Sequence, residues 1–411
     1  MSINPGDTAW MLVSADMVLF MTPGLAFFYG GLVRRKNFLS TIMMSFACLG
    51  LISVLWAVYG YSLVFGPDKA GIIGGLNFFG LSGVGQAPSS VYATTIPQLA
   101  FMAFQGMFAI ITVALITGAV VERIKFSALT VFSVLWFTLV YCPVAHWVWG
   151  AGGWLNKMGV LDFAGGTVVH IAAGVSALSL ALLLGPRKGF KEKVPMEPGN
   201  IPMVALGAGM LWFGWFGFNA GSALTSGGLA ASAFVATNIS AATAAFVWMM
   251  LSWTYRRPSL LGVVTGAVAG LVAITPAAGF VQPIMGIPIG ASVAVICYYM
   301  MVFRSKTGID ESLDVWAVHG MGGTWGALAT GIFCSVAANT VGKNGLIYGN
   351  PKQLWIQLIG VVSVWVFAFV MTWVLGKIVN AVIGLRVSPT EESVGLDISQ
   401  HGERAYGGRL R

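Results

Sequence analysis

Hydrophobic positions along this chain fall in long, nearly uncharged runs rather than in alternating or narrow-stripe patterns. Eleven such runs occur, at 9–33, 38–65, 95–121, 127–145, 163–185, 200–220, 229–254, 259–278, 284–303, 313–336 and 355–383. A helix crossing a bilayer needs about 20 apolar residues, so each run predicts a membrane-spanning helix and the whole predicts an all-α integral membrane protein. Eighteen of the lysines and arginines lie at or after odd-numbered runs, among them Arg34, Arg35, Lys36, Arg123, Lys125, Arg187, Lys188, Arg256, Arg257, Arg304, Lys306, Lys377, Arg386, Arg404, Arg409 and Arg411. Lys69, Lys157, Lys343 and Lys352 lie on the other side. Positive charge collects on the cytoplasmic side of membrane proteins, which predicts the N-terminus outside and the C-terminus inside. If runs 1–5 and 6–10 are repeats, an odd number in each half makes the second copy enter from the opposite face. That is an inverted repeat, with a site at the interface of the halves and run 11 standing apart. GLAFFYGG at the end of run 1, GWFGFNAG in run 6, and an Asp followed by a His in both run 5 and run 10 give internal support.

Composition narrows the picture. Of 411 residues, 57% are hydrophobic and 9% charged, with a mean hydropathy of +0.83. Soluble domains carry about 25% charged residues, so a soluble enzyme or binding module is excluded, and so is a disordered chain. The net charge of +8 does not point to nucleic acid, because the basic residues form short clusters between apolar runs. The 54 glycines are nearly twice average usage and suit close helix packing in lipid; GVVTGAVAG at 262–270 reads as a helix contact. Cys48, Cys142, Cys297 and Cys334 form no CxxC pair and read as small core residues. No basic segment precedes the first run, so no cleaved signal peptide is expected. No Walker A loop, HExxH or GxSxG is present, which argues against direct ATP drive and against an enzyme. AVYGYS at 57–62 is only superficially like a potassium filter, since it lies inside an apolar run.

Ionisable groups inside spans are rare and mark function. Of four histidines, His401 lies in the tail and His146 reads as an interfacial or capping residue. His170 and His319 each lie a turn or two inside a glycine-rich helix, in GGTVVHIAAG and WAVHGMGG. Each alone could be a hydrogen-bonded core histidine, but two at corresponding places in two halves point to a pore. A metal pair lacks a third embedded ligand. Asp162 and Asp314 read as helix-start residues, and Asp16 in run 1 has no evident partner. Phe104, Phe108, Trp147, Trp149, Trp215 and Phe218 gather near the expected outer ends of their runs. They fit either an interfacial aromatic belt or a cage that attracts a cation through ring faces.

Six strings, running in order over nearly the whole chain, carry a family resemblance. They are PGLAFFYGGLVRRKN (23–37), ALITGAVVERIKFSA (114–128), DFAGGTVVHIAAG (162–174), GWFGFNAGSA (214–223), DVWAVHGMGG (314–323) and GLDISQHGERAY (395–406). The chain resembles the ammonium transporter family, the Amt/Mep/Rh superfamily, in its prokaryotic Amt branch. The resemblance implies eleven transmembrane helices in a five-plus-five inverted repeat plus one helix, assembled as a homotrimer with one pore per subunit, multi-pass in the inner (plasma) membrane. It implies a transmembrane domain over 1–384, with pseudo-repeats about 9–185 and 200–336 and an extra helix about 355–383, and a cytoplasmic regulatory tail over 385–411. It places an outer ammonium site at Phe108, Trp149 and Ser222 with Phe104 nearby, Trp147 being the alternative to Trp149. It implies a paired phenyl gate at Phe108 and Phe218, a pore lined by His170, His319 and Trp215, and Asp162 as structural support. The implied cargo is ammonium or ammonia, with methylammonium a further candidate, and the implied role nitrogen uptake, with no cofactor. A PII-type signalling protein is the implied cytoplasmic partner. Two rival functions stay open: a Rh-like gas channel for ammonia or carbon dioxide, and an ammonium sensor signalling through its tail. The Trp149 and Ser222 pair argues for a cation-recruiting mouth over pure gas passage, and no kinase, cyclase or helical signalling domain is read in the chain, which argues against a dedicated sensor.

Overall fold

The computed structural model describes residues 2–255 and 257–406; Arg256, Arg409 and Arg411 of the basic-residue pattern lie outside the described residues, as does the end of the tail beyond 406. Helix dominates because a chain this apolar must satisfy its backbone polar groups internally. In order the helices are α1 (Pro5–Leu32), α2 (Arg35–Phe65), α3 (Gln98–Thr117), α4 (Phe126–Met158), α5 (Gly166–Leu184), α6 (Ile201–Gly221), α7 (Gly228–Tyr255), α8 (Leu260–Ile274) and α9 (Pro283–Thr307). There follow α10, in which a wide turn over Trp316–Gly320 continues as Met321–Phe333, and then α11 (Pro351–Val382). Two short tail helices end the chain, α12 (Pro389–Val394) and α13 (Leu396–His401). Among the described residues nine helices are long and apolar enough to cross a membrane; the runs expected at 259–278 and 313–336 hold the shorter α8 and α10. Starts are set by ordinary caps. Asn4, Asn200 and Ser259 accept from the backbone N–H of Asp7, Met203 and Gly262, and prolines open α1 and α6.

Small residues decide which helices touch. α1 packs along α6, α7 against α8 and α9, and α5 against α10 and α11. At Gly207 on α6 a Cβ would lie 2.4 Å from the backbone nitrogen of Phe28, so only glycine lets α1 approach there. The glycines of α8 meet α7 in the same way: a Cβ on Gly270 would lie 2.5 Å from the Ser240 carbonyl oxygen.

The two ends of the bundle are finished differently. At one end the 66–97 connection forms two small hairpins, Asp68–Lys69 with Ile73–Gly74 and Pro88–Ser89 with Ala93–Pro97. His146 holds this end together. Read as an interfacial or capping residue, it is fully buried here, bonding the Val64 carbonyl at 2.6 Å and the Asp68 carboxylate at 3.0 Å. It ties α4 to the end of α2 and the loop after it.

At the other end lies an ion cluster built on Glu122. This residue sits at φ 70°, a strained conformation for a side-chain-bearing residue, and five donors fix it there. They are the backbone N, Nε and Nη2 of Arg34, Nδ2 of Asn37 and Nη1 of Arg187, at 2.8–3.0 Å. Arg187 also grips Asp310, and Arg123, buried alongside, donates to the Asp310 carbonyl and to Ser312. The tail joins this cluster. Glu392 accepts from the Lys188 backbone and from Arg386, Asp397 accepts from the Ser40 backbone, and Leu396 donates to Asn37. A capping box of Ser388 and Glu391 starts α12. Loops from several helices and the tail therefore share one set of charges.

Burial alone would raise the Glu122 pKa; the Arg187 and Arg34 guanidiniums outweigh it and hold the carboxyl at about 2 against an ordinary 4.5. A depressed carboxyl contributes stability that is present above its unfolded value and lost as pH falls through the folded one. Glu122→Gln leaves the half-buried Arg34 guanidinium without its carboxylate and Arg187 with Asp310 alone, at a cost of about 1–3 kcal/mol. The unfolding temperature of the variant in detergent should fall well below wild type at neutral pH, and the gap should close between pH 4.5 and about 2. A gap that persists unchanged down to acid would show that Glu122 is held by packing and not by charge.

Candidate functional site

The expected site residues converge along one line through the bundle. At the hairpin end opens a cavity of about 200 Å³ whose lining includes Phe108, Trp149 and Ser222, together with Gln105, Tyr92 and Phe163. The Trp149 and Phe108 rings meet edge to face, 5.9 Å between centroids at 87°, and Trp149 Nε1 donates to the Asp162 carbonyl at 3.0 Å. Ser222 Oγ donates to the Phe218 carbonyl at 2.8 Å, which leaves its lone pairs for the cavity. Phe104 is placed behind Phe108, edge-on at 4.9 Å, and is fully buried outside the cavity lining. Trp147 packs on Trp154 and Phe367 instead, so the aromatic wall comes from Trp149.

Phe108 floors this cavity and Phe218 roofs the space beyond. Their rings stack at 4.2 Å between centroids and 27°. Beneath them Phe218, Trp215, His170 and His319 line a chamber of about 10 Å³ with Met21, Ile111 and Val268, room for about one water-sized molecule. His170 stacks on Trp215 at 5.4 Å, and Trp215 is pinned by its Nε1 donating to Thr275 at 2.8 Å. The two imidazoles meet through Nδ1 atoms 3.2 Å apart. That contact needs one donor and one acceptor, so the two rings cannot both be imidazolium. In the neutral pair one Nε2 then carries a hydrogen and the other a lone pair. His170 Nε2 has no hydrogen-bond partner. Past His319 the path widens into a second cavity of about 260 Å³, lined by Tyr29, Met196, Ser312 and Asp314 among others.

Local backbone explains this placement. Both histidines sit in wide, i→i+5 turns that open their helices, Gly166–Ile171 and Trp316–Gly320; such turns are rare and recur at functional sites. The helices cross directly at the histidines, where a Cβ on Gly174 would lie 2.1 Å from the nitrogen of Gly320. Asp162 supplies the start of α5. Its carboxylate accepts from the backbone N–H of Gly165, Gly166, Thr167 and Val168 and from the Thr167 hydroxyl. It has no capacity left for a ligand. Asp314 is not a simple cap: it stands at φ 60° and pairs with Arg304.

The ammonium transporter family model matches residues 9–406. The chain belongs to the ammonium transporter family. Family members of similar sequence include the ammonium transporter Amt1 of Archaeoglobus fulgidus, 52% identical over 404 residues, 98% of this chain and 100% of that one. The ammonium transporter of Bacillus subtilis is 49% identical, covering 98% of each chain. Among solved structures, Mep2 of Saccharomyces cerevisiae superposes with a TM-score of 0.88 at 37% identity over 94% of this chain and 91% of that one. A structure described as a sensor Amt protein superposes with a TM-score of 0.88 at 29% identity, over 96% and 98%. Family membership and the many apolar helices make this a multi-pass membrane protein.

Two features escaped the sequence reading. Gln105 lines the outer cavity with its Oε1 unpartnered; its spacing from Phe101 and Phe108 on one helical face was the available signal. Thr275, which holds Trp215, carries no local signal, because the two are joined only by tertiary packing.

Asp162→Ala should leave up to four buried N–H groups unpaired, at about 1–3 kcal/mol each. The expected outcome is a large drop in unfolding temperature together with weakened quenching or shifted emission at the Trp149 end of the protein. A variant of wild-type stability would show that the α5 start does not depend on this carboxylate.

Proposed function

We propose that this protein takes up ammonium as a trimer of eleven-span subunits in the plasma membrane. Ammonium is recruited at Phe108, Trp149 and Ser222, gives up its proton to water of the outer cavity above the stacked phenyl rings, and crosses the histidine chamber as ammonia, with the proton either left outside or following along the imidazole pair. The observation that carries this reading is the imidazole pair, Nδ1 to Nδ1 at 3.2 Å, in a chamber of about 10 Å³ directly beneath the rings. The energetics favour it. A ring face returns about 0.5–2 kcal/mol to a cation, and a charged hydrogen bond to Ser222 about 1.5–3. Stripping an ion of water costs on the order of 20 kcal/mol in the Born limit. The outer cavity can therefore concentrate ammonium, but an apolar chamber of this size cannot carry it bare. Ammonia crosses cheaply and finds a donor and an acceptor in the imidazoles. Potassium has no proton to lose and is rejected. Phe104 backs Phe108, Trp215 holds His170 by stacking, and Asp162 fixes the wall that carries Trp149.

Ammonium uptake by proteoliposomes tests this, with ammonium set against potassium: entry of ammonia alone makes the lumen alkaline, and a current on solid-supported membranes appears where the proton follows. His170→Ala and His319→Ala should abolish transport or widen the chamber and cost selectivity; a His→Asp change at either position should admit potassium. Trp149→Leu should raise the half-saturating concentration roughly three- to thirty-fold, the equivalent of about 0.5–2 kcal/mol. Normal ammonium uptake and full potassium exclusion in both alanine variants would overturn the mechanism.

The inverted repeat is supported by the pairing of equivalent helices, α1 with α6 and α5 with α10, with the histidines at the second crossing. The orientation, N-terminus outside and C-terminus inside, rests on the basic residues, which gather with the tail at the Glu122 end. The reading divides the chain into a transmembrane domain over 1–384 and a regulatory tail over 385–411, and sets the inner mouth as the docking face for a PII-type protein. A sensor role is the second reading, favoured by the tail's bonds to Asn37, Ser40 and Lys188. Truncation after Val387 separates the two: a regulating tail changes transport on its removal, whereas a purely signalling tail leaves the currents intact.

A further inference from the structure

Outside the ammonia path, His146 faces two acceptors at once. It is enclosed in the last turn of the α4 stretch that ends at Trp149, where Gly150 leaves the helix. Its Nδ1 lies 2.6 Å from the Val64 carbonyl oxygen and its Nε2 3.0 Å from Oδ1 of Asp68. A carbonyl oxygen does not donate. Oδ1 of Asp68 already accepts from the Gly71 N–H at 2.7 Å, and a proton placed on it would oppose that bond. The ring therefore supplies a hydrogen to each neighbour, and a ring with two N–H groups is an imidazolium. Its counterion is in place. The His146 bond first, then the Gly71 N–H and Lys157, hold the Asp68 carboxyl below its ordinary value, with burial opposing.

The other titratable groups on the elements packed against His146 are committed or turned away. Lys157 lies 3.5 Å from Oδ2 of Asp68, and Lys69 is exposed. The Tyr61 hydroxyl accepts from Gln98 and the Tyr92 hydroxyl from the Ala151 N–H. His170 meets His319, and Cys142 is a buried thiol one turn earlier on the same helix.

The pair fixes more than a loop, because the 66–97 connection grips the turn that follows Trp149. The Gly71 carbonyl accepts from the Trp154 N–H at 3.1 Å, and the Tyr92 hydroxyl from the Ala151 N–H at 2.8 Å. Asp68 packs so closely on Gly152 that a Cβ there would lie 2.5 Å from its own Cβ. The loop thus holds the backbone leaving Trp149, and the Asp162 carbonyl holds the Trp149 ring through Nε1. Of these ties, the His146–Asp68 pair is the one with charge on both partners.

We propose that the His146 imidazolium and the Asp68 carboxylate form a charged clamp that positions the Trp149 ring in the outer cation site, so that ammonium recruitment depends on a proton held one helical turn away. The inference rests on the recruiting role proposed above for Trp149. The two residues act through that ring and do not touch ammonium. Loss of the proton leaves a ring nitrogen with its lone pair against an oxygen, which pushes the loop from the turn. Affinity at the outer mouth therefore falls as pH rises through the deprotonation of His146.

Two measurements on the full-length protein in lipid test this. Solid-state nitrogen-15 spectra of histidine-labelled protein near neutral pH should show one ring with both nitrogens protonated, in dipolar contact with an aspartate carboxyl carbon. Uptake assays then give the outer half-saturating concentration, counted as ammonium, as a function of pH. It should rise roughly three- to thirty-fold over the range in which that ring loses its proton, the span expected for Trp149→Leu. Asp68→Asn should raise it by a similar factor and flatten the pH profile, because a neutral side chain does not hold the charged ring. In a Trp149→Leu background Asp68→Asn should add nothing, since a positioning pair then has no ring to place. A ring with a single N–H near neutral pH, or an outer constant unmoved while that ring titrates, would overturn the proposal. So would a full additive shift from Asp68→Asn on top of Trp149→Leu, the mark of a carboxylate that attracts ammonium directly. If Asp68→Asn does not fold, the spectra and the pH profile of the unmodified protein decide. A Trp149→Leu constant equal to wild type sinks the recruitment reading instead, while the charge on His146 is still read from the spectra.

Discussion

The close approach of α5 and α10 at Gly174 and Gly320 is the contact on which the site depends. With no side chain on either residue, the two backbones touch, and the imidazoles just before the crossing have nowhere to go except against each other. The wide turns that open both helices rotate His170 and His319 onto the same side of that crossing. Trp215 then closes one flank of the chamber and Phe218 its roof. None of these groups needs to be unusual in itself. The chamber is small because the helices around it are smooth.

Polar anchoring is concentrated away from this chamber. Asp162 spends its whole carboxylate on a helix start, His146 ties a loop to α4, and the Glu122 cluster gathers four connections and the tail. The spanning faces are joined instead by hydrogen bonds between neutral side chains, such as Trp136 Nε1 to Ser176 and Thr372 and Trp365 Nε1 to Thr324. Charge is used where water can reach it, or where a dense set of partners replaces water.

Much of this was legible from sequence, for reasons that differ by residue. The apolar runs had to be helices because lipid leaves no alternative, and each predicted run holds one. His170 and His319 stood out because ionisable groups at that depth are rare. Phe108, Trp149 and Ser222 came from the family motifs rather than from any periodicity, and they do share a cavity. What could not be read was fixed by contacts distant in sequence. The partners of His146 were hidden because nothing along the chain reveals that the 66–97 loop folds back over it. Phe104 and Phe108 look equivalent, one turn apart, yet only packing decides which ring faces the cavity.

On the proposed path the stacked rings of Phe108 and Phe218 are the closure, and that proposal has a consequence for how fast the protein can work. A closure made of two side chains opens by torsions about single bonds, with the helices standing still. Such torsions are far quicker than the microsecond-to-millisecond swings of whole domains. Each crossing event then borrows only a local fluctuation, and no global rearrangement has to reset before the next molecule enters. Turnover should follow the supply of cargo at the mouth and the frequency of ring rotation, as in a narrow valve, rather than the period of a rocking machine.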